Sequence, residues 1–225
     1  MNRYLFFLLC MMLMVCGCDS SANFVDLNKN SKMDPYENPN LTPLQRARDI
    51  ISYLSLSEKI SQLESSAPSI PKLGISEYNW MNEALHGIRG DHGETTTVFP
   101  QAIGLAATWN PDLAWKQGNA ISDEARALAN NRGNDRYLDF WSPVINIARD
   151  PRWGRTQEGY GEDPMLVSEI SKSLIKGLQG NHPKYFKVLS APKHFVANNE
   201  EYRRHSGSSE VPMKILRDYY FPAFK

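Results

Sequence analysis

Residues 138–191 contain the stretch that decides the fold class. They read LDFWSPVINI at 138–147, DPMLVSEISKSLIKGLQG at 163–180 and VLSA at 188–191. The first and third segments contain apolar runs of strand length. The middle segment predicts a helix that Asp163 and Pro164 open and that ends near Gly180. Strands that alternate with a helix in this order predict a βαβ unit with parallel strands.

The same alternation extends toward both ends of the chain. Another strand-length run lies at 78–80, and helix-start signals built from Ser, Thr, Asn and Pro occur at four further positions. In the helix that begins at Ser55, the side chains of Ile60 and Leu63 are expected to face inward. The four predicted helices begin at Thr42-Pro43, Ser55, Asn110-Pro111 and Pro212.

The predicted fold class is therefore α/β, with an incomplete (β/α)₈ TIM-type barrel over residues 41–225. A complete barrel of this type takes about 250 residues. The range 41–225 holds 185 residues, so the length predicts that some strands and helices are missing. In such a barrel, active sites form at the carboxyl ends of the strands.

The first 17 residues have the pattern of a bacterial lipoprotein signal peptide. Arg3 is followed by an apolar run over 4–15, which at twelve residues is shorter than the roughly 20 that a membrane-spanning helix needs. Gly17-Cys18 resembles the lipobox, which predicts lipidation of Cys18. We expect an exported protein, periplasmic or at the cell surface, that is attached to a membrane by this lipid.

Composition excludes two classes of site. Cys10 and Cys16 lie in the leader and Cys18 is the predicted lipidation site, so no disulfide and no Cys-based metal site is expected in the mature chain. The 25 basic residues balance the 25 acidic ones, and no run of Lys or Arg occurs. This charge pattern argues against a nucleic-acid partner.

Residues 18–40 predict a polar tether that contains a candidate calcium loop. The segment is rich in Asn, Asp, Ser, Lys and Pro and has no hydrophobic period. Its spacing of oxygen-bearing residues matches that of an EF-hand loop, although Ser31 replaces the usual Gly. A polar linker that matches by chance is the alternative. The candidate structural calcium ligands are Asp26, Asn28, Asn30, Lys32 through its carbonyl group, Asp34 and Glu37.

Three polar clusters follow the strand-like runs. They lie at 80–87, at 150–164 and at 191–195. With the segment TVFPQAIG at 97–104, they resemble the signatures of the N-terminal barrel domain of glycoside hydrolase family 3, and the resemblance covers about 41–225. It implies a glycosidase that needs no cofactor for catalysis and that acts on oligosaccharides.

The resemblance also implies the roles of individual residues. Glu83, Arg155, Lys193 and His194 match the positions that bind the terminal sugar, and Glu158 matches an acid that holds one of these basic residues. Two residues close to these in the sequence are not expected to bind the sugar. His86 is expected to be a core histidine with satisfied hydrogen bonds, and Arg152 is expected to form a structural ion pair.

Lys193 and His194 are adjacent in the sequence, which raises a geometric question. In a regular strand their side chains would face opposite ways. For both to reach one sugar, the backbone must be irregular there. We expect a non-proline cis peptide bond as the form of this irregularity.

The resemblance places both catalytic carboxylates outside this sequence. Family members are retaining enzymes with a carboxylate nucleophile and an acid/base about 5 Å apart. In the family the nucleophile belongs to a Ser-Asp motif on a later strand, whereas Ser122-Asp123 lies in a helical pattern. We therefore expect no catalytic residue in this chain and an inactive fragment of a longer enzyme.

The residue at position 83 bears on the substrate. Many relatives have the shorter Asp there, and the longer Glu83 is expected to crowd the C6 hydroxymethyl group of a hexose. The predicted whole protein is an exo-acting β-glycosidase that prefers β-xylosides over β-glucosides at the non-reducing end. The alternative is a non-catalytic, membrane-anchored carbohydrate-binding lipoprotein.

Overall fold

The computed structural model describes residues 24–90, 93–133 and 135–225. These residues form two compact units, one within 24–77 and one within 78–225. The predicted signal peptide and the lipidation site Cys18 lie outside the described residues and stay predictions. Within the described part of the chain, no helix is long and apolar enough to cross a membrane.

The described part of the first unit contains two α-helices and a short strand, besides the 3₁₀ helices Pro35–Glu37 and Pro71–Leu73. The α-helices and the strand are α1 (Pro43–Tyr53), α2 (Leu56–Ser61) and β1 (Ser66–Ala67). Both α-helices begin at the predicted start signals with a capping box, in which the hydroxyl groups of Thr42 and Ser55 accept hydrogen bonds from backbone N–H groups three residues later. The inward orientation predicted for Ile60 and Leu63 is wrong, because these side chains are 57% and 82% exposed.

The tether prediction is wrong for Tyr36 and Glu37, which are buried in the first unit. Tyr36 is 1% exposed and belongs to a hydrophobic cluster with Leu54, Ile70 and Leu73. Its hydroxyl group donates a hydrogen bond of 3.0 Å to the carbonyl oxygen of Leu73. The packed part of the chain therefore begins before the predicted boundary at Leu41. The sequence pattern missed this, because one buried aromatic ring creates no periodicity.

The second unit alternates strands and helices. Its strands and α-helices are β2 (Tyr78–Asn79), α3 (Ala102–Ala106), α4 (Pro111–Arg132), β3 (Asp139–Phe140), α5 (Pro164–Gln179), β4 (Leu189–Ser190) and α6 (Met213–Ile215), and 3₁₀ helices lie at Asp135–Leu138 and Thr156–Glu158. After α6 the chain continues as a π-helix over Leu216–Tyr220 and a 3₁₀ helix over Phe221–Phe224. Helices therefore occur at all the predicted positions, and α3 was not predicted.

A parallel βαβ unit is present, as predicted. Strands β3 and β4 pair in parallel, with Asp139 opposite Leu189 and Phe140 opposite Ser190, and α5 lies between them in the sequence. Helices α4 and α5 pack closely at Gly118 and Gly177. A Cβ atom at Gly118 would lie 2.3 Å from the carbonyl oxygen of Leu174. The absence of that atom lets the two helix backbones approach each other.

The strands are shorter than the apolar runs that predicted them. The run at 144–147 yields one parallel bridge, between Val144 and Lys193. Pro143 has no N–H group to donate, although its carbonyl oxygen still accepts a hydrogen bond of 2.9 Å from Lys193. Regular pairing therefore ends at this point, directly before the polar residues of the candidate site.

Candidate functional site

Four of the five residues predicted for the sugar site lie around one cavity. It has a volume of about 360 Å³, within the range of small-molecule sites. His194 does not line this cavity and lies beside it. The residues that line the cavity are Glu83, Leu85, His86, Gly87, Ile88, Arg89, Val98, Val144, Arg155, Glu158 and Lys193.

Glu83 and Lys193 form an ion pair in the site, in which Lys193 is buried and Glu83 is partly exposed. Oε1 of Glu83 contacts Nζ of Lys193, and its Oε2 accepts a hydrogen bond of 3.1 Å from the hydroxyl group of Ser142. Lys193 is 6% exposed, and its ammonium group lies 5.1 Å from the ring centre of Trp141. The aromatic ring and the carboxylate together stabilise the positive charge away from water.

Arg155 is fixed by Glu158 from the same short segment. Nε and Nη2 of Arg155 donate hydrogen bonds of 2.8 and 2.6 Å to the two carboxylate oxygens of Glu158. These hydrogen bonds are the largest cause of the raised pKa of Arg155. The contact expected between Glu158 and a basic residue of the site is present. The third guanidinium nitrogen of Arg155, Nη1, takes part in neither of these two hydrogen bonds.

The peptide bond between Lys193 and His194 is cis, as expected from the sequence. Nδ1 of His194 lies 2.9 Å from Oδ1 of Asn146. Burial, together with the positive charges of Arg155 and Lys193, lowers the pKa of His194 to about 4. The ring is therefore neutral at pH 7.

The structure confirms the ion pair expected for Arg152 and corrects the core position expected for His86. His86 has satisfied hydrogen bonds, with Nδ1 at 2.7 Å from the carbonyl oxygen of Phe99, but it is half-buried and lines the cavity rather than the core. Arg152 forms the expected ion pair with Asp150 at 2.6 Å. Its side chain is 89% exposed, so this pair contributes little to stability.

Three residues of the site were not predicted from the sequence. Trp141 contacts Lys193, Asn146 contacts His194, and Glu201 lies 3.8 Å from Arg155 while accepting a hydrogen bond of 3.0 Å from the indole of Trp153. Asn146 had a detectable signal, because it is a polar residue inside an apolar run. Glu201 had none, since it lies among several charged residues in a loop.

The candidate calcium loop is closed by its own hydrogen bonds. The carboxylate of Asp26 accepts from the backbone N–H groups of Asn30 and Ser31, and the carboxylate of Asp34 accepts from the side-chain amides of Asn28 and Asn30. Across the described ranges, no group of three or more His, Cys, Asp and Glu side chains is placed to bind a metal ion. Calcium binding by this loop stays a prediction.

A thermal melt tests the calcium prediction. An ion that binds the folded chain at 100 times its Kd adds about 2.7 kcal/mol of stability, so calcium is expected to raise Tm and excess chelator to reverse the rise. Asp26→Asn is expected to abolish the response, and Asp112→Asn, outside the loop, serves as the control. An equal Tm with calcium and with chelator contradicts the prediction.

Comparison with known families agrees with this fold. A family model described as Glycosyl hydrolase family 3 N terminal domain matches residues 54–225. The chain belongs to this glycoside hydrolase family, and its fold is part of the TIM-like barrel of that N-terminal domain. The matched range begins later than the predicted boundary at residue 41.

The curated relatives include several β-xylosidases. Xylan 1,4-beta-xylosidase from Xylanibacter ruminicola is 42% identical over 217 residues, which is 92% of this chain and 25% of the relative. Exo-1,4-beta-xylosidase from Emericella nidulans is 39% identical over 204 residues, 85% of this chain and 26% of the relative. The chain thus spans about a quarter of the length of the curated relatives that it matches.

Solved structures of both β-xylosidases and β-glucosidases are similar to this chain. A GH3 exo-beta-xylosidase, XlnD, in complex with a xylobiose aziridine activity-based probe has a TM-score of 0.71 and 29% identity, covering 89% of this chain and 26% of its own. DesR, a beta-glucosidase from Streptomyces venezuelae in complex with D-glucose, has a TM-score of 0.66 and 32% identity, covering 80% and 22%.

Proposed function

We propose that this chain provides part of the sugar pocket of a retaining, exo-acting β-glycosidase that releases β-xylosyl residues from the non-reducing ends of oligosaccharides. In this proposal Glu83, Arg155, Lys193 and His194 bind the terminal sugar, and Glu158 holds Arg155. The catalytic carboxylates belong to other parts of the whole protein. Export and attachment to a membrane through Cys18 remain part of the proposal.

The observation that supports sugar binding most is the convergence of fixed donors and acceptors on one cavity. A sugar presents hydroxyl groups, each of which can donate and accept hydrogen bonds. The cavity offers the carboxylate of Glu83 as an acceptor and the cationic groups of Lys193 and Arg155 as donors. Because these groups are held by ion pairs, little side-chain entropy is lost when a ligand binds.

The preference for β-xylosides rests on Glu83. Its carboxylate lines the cavity and is held there by Lys193 and by the hydroxyl group of Ser142. A side chain fixed in this way cannot easily move aside for the extra hydroxymethyl group of a β-glucoside. The names of the relatives support the proposal, since β-xylosidases are prominent among those with the highest identity.

A chimera tests the proposed function. Residues 54–225 replace the matching segment of the Xylanibacter ruminicola xylosidase, and kcat/KM is measured on aryl β-xyloside and aryl β-glucoside. We expect hydrolysis with a preference for the xyloside of about 10-fold or more, because one additional group in a closed pocket costs about 1–3 kcal/mol. A folded chimera that prefers the glucoside contradicts the proposed specificity.

Two Arg→Lys variants of the chimera test the assignment of the site. Arg155→Lys keeps the charge but not the planar fork, and hydrogen bonds to charged groups are each worth about 1.5–3 kcal/mol. We expect kcat/KM to fall by about 10- to 150-fold. Arg152→Lys is the matched control, since Arg152 is exposed and pairs with Asp150. Equal effects of the two substitutions would remove Arg155 from the proposed site.

A further inference from the structure

Asn146 connects the end of the run at 144–147 to the Lys193-His194 pair. It is 5% exposed, so each of its polar atoms needs a partner inside the protein. Its Oδ1 lies 2.8 Å from the backbone nitrogen of His194 and 2.9 Å from the ring Nδ1 of the same residue. Its Nδ2 donates a hydrogen bond to the carbonyl oxygen of Asn198.

The chemistry of these partners fixes the orientation of the amide. The backbone N–H of His194 can only donate, so the atom that faces it must be the amide oxygen. The carbonyl oxygen of Asn198 can only accept, so the atom that faces it must be the amide nitrogen. Both ends of the side chain give the same orientation, which removes the usual ambiguity between O and N in an Asn side chain.

The orientation of Asn146 in turn determines the protonation of the His194 ring. Oδ1 can only accept, so the ring nitrogen that faces it, Nδ1, must bear a proton. The pKa of His194 is lowered by burial and by Arg155 and Lys193, against the opposite effect of Glu158 and Glu201. A neutral imidazole has one N–H, and the proton on Nδ1 leaves Nε2 with a free lone pair. No group among the described residues hydrogen-bonds to Nε2.

We propose that Asn146 is a positioning residue that holds His194 as the neutral Nδ1–H tautomer and so presents Nε2 as a hydrogen-bond acceptor for a sugar hydroxyl group. The role of Nε2 in binding a sugar rests on the proposed function, whereas the assignment of the tautomer does not. Lys193 and Arg155 then act as donors and Glu83 and His194 as acceptors. A ligand hydroxyl that faces His194 must donate its proton there.

Nitrogen NMR of the histidine rings tests the tautomer directly. Long-range ¹H–¹⁵N spectra of the full chain with labelled histidine distinguish Nδ1–H, Nε2–H and the doubly protonated ring. We expect His194 to be the Nδ1–H form at pH 7. Asn146→Leu removes the acceptor and is expected to shift His194 to the Nε2–H form. An Nε2–H or doubly protonated His194 in the unmodified chain overturns the proposal.

Two further variants keep the test decisive if Asn146→Leu does not fold. Asn146→Asp keeps the acceptor and adds a negative charge, so His194 is expected to retain Nδ1–H and its pKa to rise by about 1–3. Asn199→Leu is the matched control. Asn199 is 8% exposed and its amide donates to the carbonyl oxygen of Ile147 without contacting His194. A tautomer change in the control, or no rise in pKa with Asp, contradicts the role of Asn146.

A titration with xylose separates this proposal from the proposed function. We expect the Nε2 resonance of His194 to move as the sugar binds, while the ring of His86, whose Nδ1 faces the carbonyl oxygen of Phe99, keeps its tautomer. An unmoved Nε2 resonance in a chain with the predicted tautomer contradicts sugar binding at His194 and leaves the positioning role of Asn146 intact.

Discussion

Replacing Glu83 by Leu is expected to lower the free energy of unfolding by about 3–5 kcal/mol, because it leaves the ammonium group of Lys193 buried without its carboxylate. The Lys193 side chain is 7% exposed, whereas that of Glu83 is 23% exposed. Glu83 also keeps its hydrogen bond from Ser142 when Lys193 is removed. The converse substitution, Lys193→Met, is therefore expected to cost less, about 1–3 kcal/mol. Urea unfolding followed by tryptophan fluorescence measures both.

The double variant distinguishes an unpaired charge from a packing defect. Glu83→Leu combined with Lys193→Met removes both charges, so it is expected to be more stable than Glu83→Leu alone. Glu169→Leu is the control, since Glu169 and Lys172 form an exposed pair at 2.5 Å, for which we expect a change within about 0.5 kcal/mol. If Glu83→Leu costs as little as this control, the ion pair is not a stabilising feature of the site.

The helices could be predicted from the sequence because their start signals are local. Asp163 accepts hydrogen bonds of 2.7 and 2.9 Å from the backbone N–H groups of Met165 and Leu166, and Asn110 accepts one of 3.0 Å from Leu113. Each contact involves residues two or three positions apart, so residue type and spacing are sufficient to indicate it.

The errors in the fold prediction concern contacts between distant residues. Tyr36 is buried by partners such as Leu73, which lies 37 positions further along the chain, so composition alone described its segment as a tether. The run at 144–147 pairs with Lys193 through one bridge. The length of a strand depends also on whether the backbone of its neighbour is regular. An apolar run in the sequence gives no information about that neighbour.

The site was predictable only in part for a similar reason. Glu83 and Lys193 are 110 positions apart, and nothing local to either one indicates the other. The family resemblance supplied Glu83, Arg155, Lys193 and His194, and Glu158 as a residue that holds one of them, but not Trp141 or Asn146. Asn146, which the resemblance did not single out, is the residue that we propose determines what His194 offers to a ligand. In this proposal the chemistry of the site depends on a residue of the apolar run at 144–147, which the sequence indicated only as part of a strand.

Shortening the carboxylate at position 83 is expected to change the substrate preference of the chimera. Glu83→Asp withdraws the carboxylate from the cavity by one methylene group, which weakens its contact with Lys193 and makes room for a C6 hydroxymethyl group. We expect kcat/KM on the aryl β-xyloside to fall, and the glucoside-to-xyloside ratio to rise by about 10- to 200-fold, the range for one methylene in a closed pocket.

The matched control for this change is Glu201→Asp. It shortens a carboxylate by the same group near Arg155, but Glu201 does not line the cavity that contains Glu83. Its substitution is expected to leave the glucoside-to-xyloside ratio unchanged, whatever its effect on overall activity. A ratio that rises equally in both variants would show that loosening the site relaxes specificity in general. A ratio that stays constant in Glu83→Asp would mean that the hydroxymethyl group of a hexose lies elsewhere in the pocket.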